Sequence, residues 1–306
     1  MKKIMGTSFT FVGTVIGAGF ATGKEIYLYF SSCSLFTVLL SGALLGFFCF
    51  IILRLSAKYG SIFSSFGKLT LPVRIFVVVA NFIVLCAAVA GSENAVVSLF
   101  GVPGGAVLVS FLTIAVVLVG MKYVKIVNVI IVPVLILLVL FVFFQTDTAN
   151  AFSGKTSVIL PFSYASMNIV TGGFFLGETG KTFTKKQAVA CSCISGIVLS
   201  VLLACVFLCV KNVSAEMPFM EQTERLGYGV IGNVILLLAL LTTAIGTLSV
   251  CIGKRKDLAF PVVIFALLSS LFGFEKIVNT LYPVIGAVGA AITVFMVVRW
   301  GMDIRR

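Results

Sequence analysis

VGTVIGAGFATGKE (residues 12–25) and YASMNIVTGGFFLGETGK (residues 164–181) decide how this chain is read. Each lies inside a long apolar run. Each puts a glycine pair and a phenylalanine where an unbroken helix is otherwise expected, then closes on Gly, Glu and Lys. Glycine weakens a helix interior. In lipid an unsatisfied backbone group costs several kcal/mol, so irregular backbone persists only where it is buried in protein or lines a cavity. The two segments are therefore expected to be breaks in membrane helices. Either one alone fits close helix packing equally well, and Gly13 and Gly17 have small-xxx-small spacing. The matched pair tips the reading towards breaks.

The flanking sequence demands a lipid solvent. Of 306 residues, 60% are hydrophobic and 10% charged, with mean hydropathy +1.21. A soluble domain is nearer half apolar and a quarter charged. About ten runs read as spans: 4–30, 35–55, 73–99, 104–120, 126–144, 158–177, 187–210, 229–253, 258–274 and 277–300. They are solidly apolar and lack the alternation of a membrane barrel strand. The fold expected is an all-α integral membrane protein. The breaks fall in the first and sixth spans, an odd offset of five, so the two halves cross the membrane in opposite senses. That is the mark of an inverted repeat. Residues 1–150 form the first five-helix repeat and 151–306 the second, within one integrated membrane domain.

Charge supplies the orientation. The net charge is +12, carried by short basic clusters between the apolar runs. With the N-terminus in the cytoplasm, 17 of the 22 basic residues lie inside; Lys24, Lys155, Lys211, Arg225 and Lys276 lie outside. The positive-inside rule then predicts a multi-pass plasma-membrane protein with both termini cytoplasmic. It accounts for the basicity better than nucleic-acid binding does. The basic, apolar N-terminus is read as the first span, not as a cleaved leader. The eight cysteines form no Cys-x-x-Cys pair, and there is no histidine, so they read as packing residues rather than metal ligands. Scattered carboxylates and absent histidine argue against an enzyme. Gly180-Lys181-Thr182 ends like a phosphate loop, but Phe175 stands where that loop needs glycine, so no ATP site and no ATPase partner are expected. No organic cofactor is expected either, and no ring-forming filter sequence suggests a channel.

GTVIGAGFATGKE, together with LPFSYASMN (residues 160–168), resembles the YkvI-like family of bacterial membrane proteins. That family is similar to the amino acid–polyamine–organocation superfamily, which shares the five-plus-five inverted repeat of the LeuT fold with broken helices 1 and 6. The resemblance implies a secondary active transporter of an amino acid or similar small amine, coupled to a cation, with sodium favoured over protons. A membrane sensor that binds a small molecule on the same fold without moving it fits the same residues. The lack of a soluble output segment favours transport.

A cargo site is expected between the breaks. Gly17, Ala18 and Gly19 offer bare amides, Ser166 and Asn168 offer side-chain hydrogen bonds, and Thr14, Phe20 and Tyr164 line or gate the pocket. Phe20 and Tyr164 serve equally as packing residues, and Asn168 as an interhelical bond. The eighth span places Ala239, Thr242 and Thr243 at i, i+3 and i+4, on one face. Carried over from sodium-coupled relatives, the resemblance gives Gly13, Ile16, Ala239, Thr242 and Thr243 as sodium ligands; hydroxyls bonding back to their own helix explain the threonines equally. Glu93 is the carboxylate for a proton or a cationic cargo, with Lys125 second. Glu25 beside Lys24, and Glu178 near Lys181, read as interfacial ion pairs.

Overall fold

The computed structural model describes residues 2–148, 154–271 and 274–304. Among them every regular element is helical, apart from one isolated bridge between Cys33 and Lys155. Runs rich in Val, Ile and Phe are mediocre helix formers in water. In lipid the helix is the one local structure that satisfies every backbone group within its own segment. Large apolar side chains cover the outside accordingly: Leu137 is 67% exposed and Phe144 76%.

The first span is three pieces, α1 (Lys2–Val15), α2 (Ala18–Ala21) and α3 (Lys24–Phe30). Gly17 is extended between α1 and α2, and Gly23 has φ +74° between α2 and α3. The second position needs glycine. Next come α4 (Leu35–Tyr59), α5 (Thr70–Phe100), α6 (Gly105–Val119) and α7 (Met121–Gln145). The sixth span is also divided. It runs through α8 (Ile159–Thr171), a 3-10 turn (Gly173–Phe175) and α9 (Leu176–Gly180). The chain continues through α10 (Lys185–Val210), α11 (Pro218–Arg225), α12 (Gly229–Ile252), α13 (Ala259–Ser270) and α14 (Phe274–Ile304).

By length and apolarity, six described helical segments can cross a membrane: α4, Phe63–Phe100, α7, α10, α12 and Thr280–Asp303. The count of ten is thus only partly matched. The fourth and ninth expected spans become α6 and α13, of 15 and 12 residues, against the roughly 20 that a straight crossing takes. The expected boundary at 73 moves back to Thr70. Helix α11 was not anticipated. It lies in the 211–228 connection with Pro218 at its start, and the Phe219 amide donates to the Thr22 carbonyl at 2.9 Å. This loop helix therefore sits on the end of α2.

Glycines set the close crossing of two helices. A methyl on Gly42 would lie 2.5 Å from the Ser200 Cα, and one on Gly46 would lie 2.9 Å from the Gly196 Cα. Helices α4 and α10 thus meet backbone to backbone, the close packing that favours association in lipid. At one end of the bundle, Lys58 pairs with Asp303 at 2.8 Å and the Tyr59 hydroxyl donates to Asp303 at 2.9 Å, tying α4 to α14. Replacing Gly46 with Leu should destabilise the protein by about 1–3 kcal/mol through overpacking. Thermal unfolding in detergent checks this, with Gly301→Ala as the control, because nothing lies within 4 Å of a methyl there. An unchanged melting temperature for Gly46→Leu refutes the contact.

Candidate functional site

The two breaks face each other in the middle of the bundle. At the first, the Ile16 carbonyl has left the helical ladder and accepts from the Thr243 hydroxyl of α12 at 3.2 Å. At the second, the Val170 carbonyl accepts from Asn81 Nδ2 of α5 at 3.0 Å, and the same amide bonds Val77 at 2.8 Å. Both side chains are fully buried. An unanswered carbonyl at this depth is costly, and each break is answered by a donor from a helix in the other half of the chain. The third span holds Asn81 and the eighth holds Thr243, the same offset of five that separates the breaks.

Between them is a cavity of about 10 Å³, room for one water. From the first break come Thr14, Val15 and Gly17; from α8 come Met167, Asn168 and Thr171. Val84 of α5, Thr243 of α12, and Tyr282 and Ile285 of α14 complete the wall with Glu25 of α3. Four of the expected cargo and sodium residues are thus brought together: Thr14, Gly17, Asn168 and Thr243.

The other expected cargo residues are buried but stand off the wall. Ala18 and Phe20 pack in the core. Gly19 lies directly against the Glu25 side chain. Tyr164 stacks edge-on to Tyr29 and Phe30, with centroids 5.4 and 5.2 Å apart. The Ser166 hydroxyl has no hydrogen-bond partner, and its backbone carbonyl lies close to Gly289. Of the five oxygens expected around sodium, Ile16 and Thr243 are joined directly. The Thr242 hydroxyl donates to the Ala239 carbonyl of its own helix at 3.0 Å. Gly13 faces Asn128 of α7, whose Oδ1 has no hydrogen-bond partner.

The acids fall otherwise than expected. Glu93 accepts from the amides of Gly104 and Ala106 at 2.8 and 2.9 Å and so caps the start of α6, off the cavity wall. Glu25 is no interfacial ion pair. It is 6% exposed and stands on the cavity wall. The left-handed turn at Gly23 starts α3 afresh and carries Glu25 into the bundle, a redirection hidden in the run Gly-Lys-Glu. Lys125 packs near Gly6 at the start of α7. The side chain of Glu178 lies outside the described residues. Tyr282 and Ile285 were missed in the sequence; Pro283 inside the last span was the signal that pointed near them.

No protein-family model and no curated protein matches the chain. Solved structures do. MhsT in complex with L-phenylalanine superposes with TM-score 0.61 at 15% identity, over 97% of this chain and 87% of that one. Mhp1, a nucleobase-cation-symport-1 family transporter in a closed conformation with bromovinylhydantoin bound, gives 0.57 at 11% identity, over 97% and 71%. A mutant manganese transporter of Eremococcus coleocola gives 0.55 at 14%, over 97% and 76%. These likenesses, with the two broken helices, establish that the chain has the LeuT-type all-α membrane fold.

Proposed function

We propose that this protein is a secondary active transporter that moves an amino acid or similar small amine across the plasma membrane, driven by a cation, with sodium favoured over protons. One observation carries the reading: two broken helices, from opposite halves of the chain, meet at one central cavity. Backbone exposed at mid-bundle is tolerated where it lines a binding site. The fold is shared with a protein solved with L-phenylalanine and with a cation symport family transporter, which supports an organic cargo and a coupling ion.

The cation reading rests on oxygens. The Ile16 carbonyl and the Thr243 hydroxyl lie 3.2 Å apart, and the Ala239 carbonyl and Thr242 hydroxyl lie within one turn on α12. With the Gly13 carbonyl they make a neutral oxygen set, the ligand type that suits a hard cation. A cation held there screws the first break onto α12. The two five-helix halves, 1–150 and 151–306, would then rock about the cavity and expose it to either side in turn.

Thermal unfolding in sodium and in potassium tests the ion. Sodium binding to the folded state raises stability by about 2.7 kcal/mol at a hundred times its dissociation constant. Thr243→Val should lower the melting temperature in both salts, because the Ile16 carbonyl loses its donor, at a cost of about 1–3 kcal/mol. It should also erase the sodium increment; an increment that survives in this variant rejects the site. Gly17→Leu should fill the cavity and abolish uptake of labelled amino acids and amines into proteoliposomes, and normal uptake by it rejects the cavity as the cargo site. A ligand that stabilises the protein yet is never taken up replaces transport with sensing.

A further inference from the structure

The central cavity is a poor place for a carboxylate and a good one for an ammonium ion. Its threonine hydroxyls are already engaged as donors, as is one N–H of Asn168, which leaves the second Asn168 N–H and the Tyr282 hydroxyl. The Asn168 amide donates to the Tyr164 carbonyl at 3.0 Å, and the Thr171 hydroxyl to the Met167 carbonyl at 3.2 Å. The Thr14 hydroxyl donates to the Thr10 carbonyl, and that of Thr243 to the Ile16 carbonyl. What these hydroxyls present to a ligand is therefore oxygen lone pairs.

The cavity also holds an uncompensated acid. No lysine or arginine stands on its wall, and among the described residues no hydrogen bond or ion pair reaches the Glu25 carboxyl group. A carboxyl group buried without a partner is stabilised by taking up a proton or by a cation, since desolvating the bare carboxylate costs several kcal/mol. The backbone makes room for this side chain: a methyl on Gly19 would collide with the Glu25 carboxyl group and its Cγ. Aromatic rings gather on the same side. Tyr29 follows Glu25 by one helical turn and is packed against Tyr164, and Tyr282 shares the wall with the carboxylate. Of these rings only that of Tyr282 lines the cavity, and an aromatic ring beside a carboxylate suits an organic ammonium ion.

We propose that Glu25 is the ammonium-binding group of this cavity, and that the cargo is a cationic amine recognised through its –NH₃⁺ group without need of a carboxylate. This rests on reading the cavity as the cargo site, and it narrows "amino acid or amine" to the amine.

The test is thermal unfolding of the purified full chain, in sodium and in potassium. The probes are 2-phenylethylamine and isopentylamine, set against 2-phenylethanol, isopentanol and 3-phenylpropanoate. Wild type should be stabilised by the amines and not by the matched alcohols or the acid. Glu25→Gln should bind the amines at least tenfold more weakly while keeping its sodium increment, with Glu25→Asp in between. Unchanged amine affinity in Glu25→Gln overturns the proposal. So does equal stabilisation by alcohols and amines in wild type, a comparison that holds even if the variants fail to fold. Sodium stabilisation with no response to either amine overturns the role of Glu25 and leaves the transporter standing. Loss of the sodium increment in Glu25→Gln, with no amine response in wild type, reassigns the carboxylate to the metal cation. Silence towards sodium and all probes removes support from both.

Discussion

Everything in this structure follows from one demand: a peptide group in hydrocarbon must have a partner. Helices meet that demand for most of the chain. Where the first and sixth spans break, it is met by two side chains, Thr243 for the Ile16 carbonyl and Asn81 for the Val170 carbonyl. Those two bonds hold the breaks open as defined shapes rather than as local disorder. They also fix where the cavity lies, because its wall begins at the residues beside the freed carbonyls.

The symmetry of this arrangement explains its economy. Breaks in spans one and six are answered from spans eight and three. The glycine-lined crossing of α4 on α10 joins spans two and seven. An offset of five governs each case, as expected if equivalent elements of two inverted halves meet near a common axis. The two breaking donors are not chemically alike, however. A threonine hydroxyl also offers lone pairs to a cation, whereas the Asn81 amide nitrogen offers protons alone, and its Oδ1 is left without a partner. The halves share a framework, and chemistry distinguishes them.

Much of this was legible in the chain itself. Glycine pairs in two apolar runs five spans apart announce breaks, because close packing explains either pair alone but not their matched positions. Thr243 stood out as a hydroxyl at the right spacing in a leucine-rich span. Asn81 was just as informative but went unread, since a lone amide says nothing of which carbonyl it will meet. Glu25 was misread because sequence proximity to Lys24 imitates an interfacial pair, while the deciding fact is the positive φ of Gly23, which residue order does not reveal.

The crossing of α4 and α10 has a mechanical consequence. Gly42 and Gly46 on one helix meet Gly196 and Ser200 on the other, and the one side chain at the contact is the Ser200 hydroxyl, which donates to the Leu39 carbonyl. Such a contact has few rotamers to rearrange, that of Ser200 among them. Two helices joined in this way can tilt against one another over a small angle with little repacking, yet cannot approach or separate cheaply. The contact is thus a fulcrum, and the half-helices tethered beside it on either end are the arms of a balance.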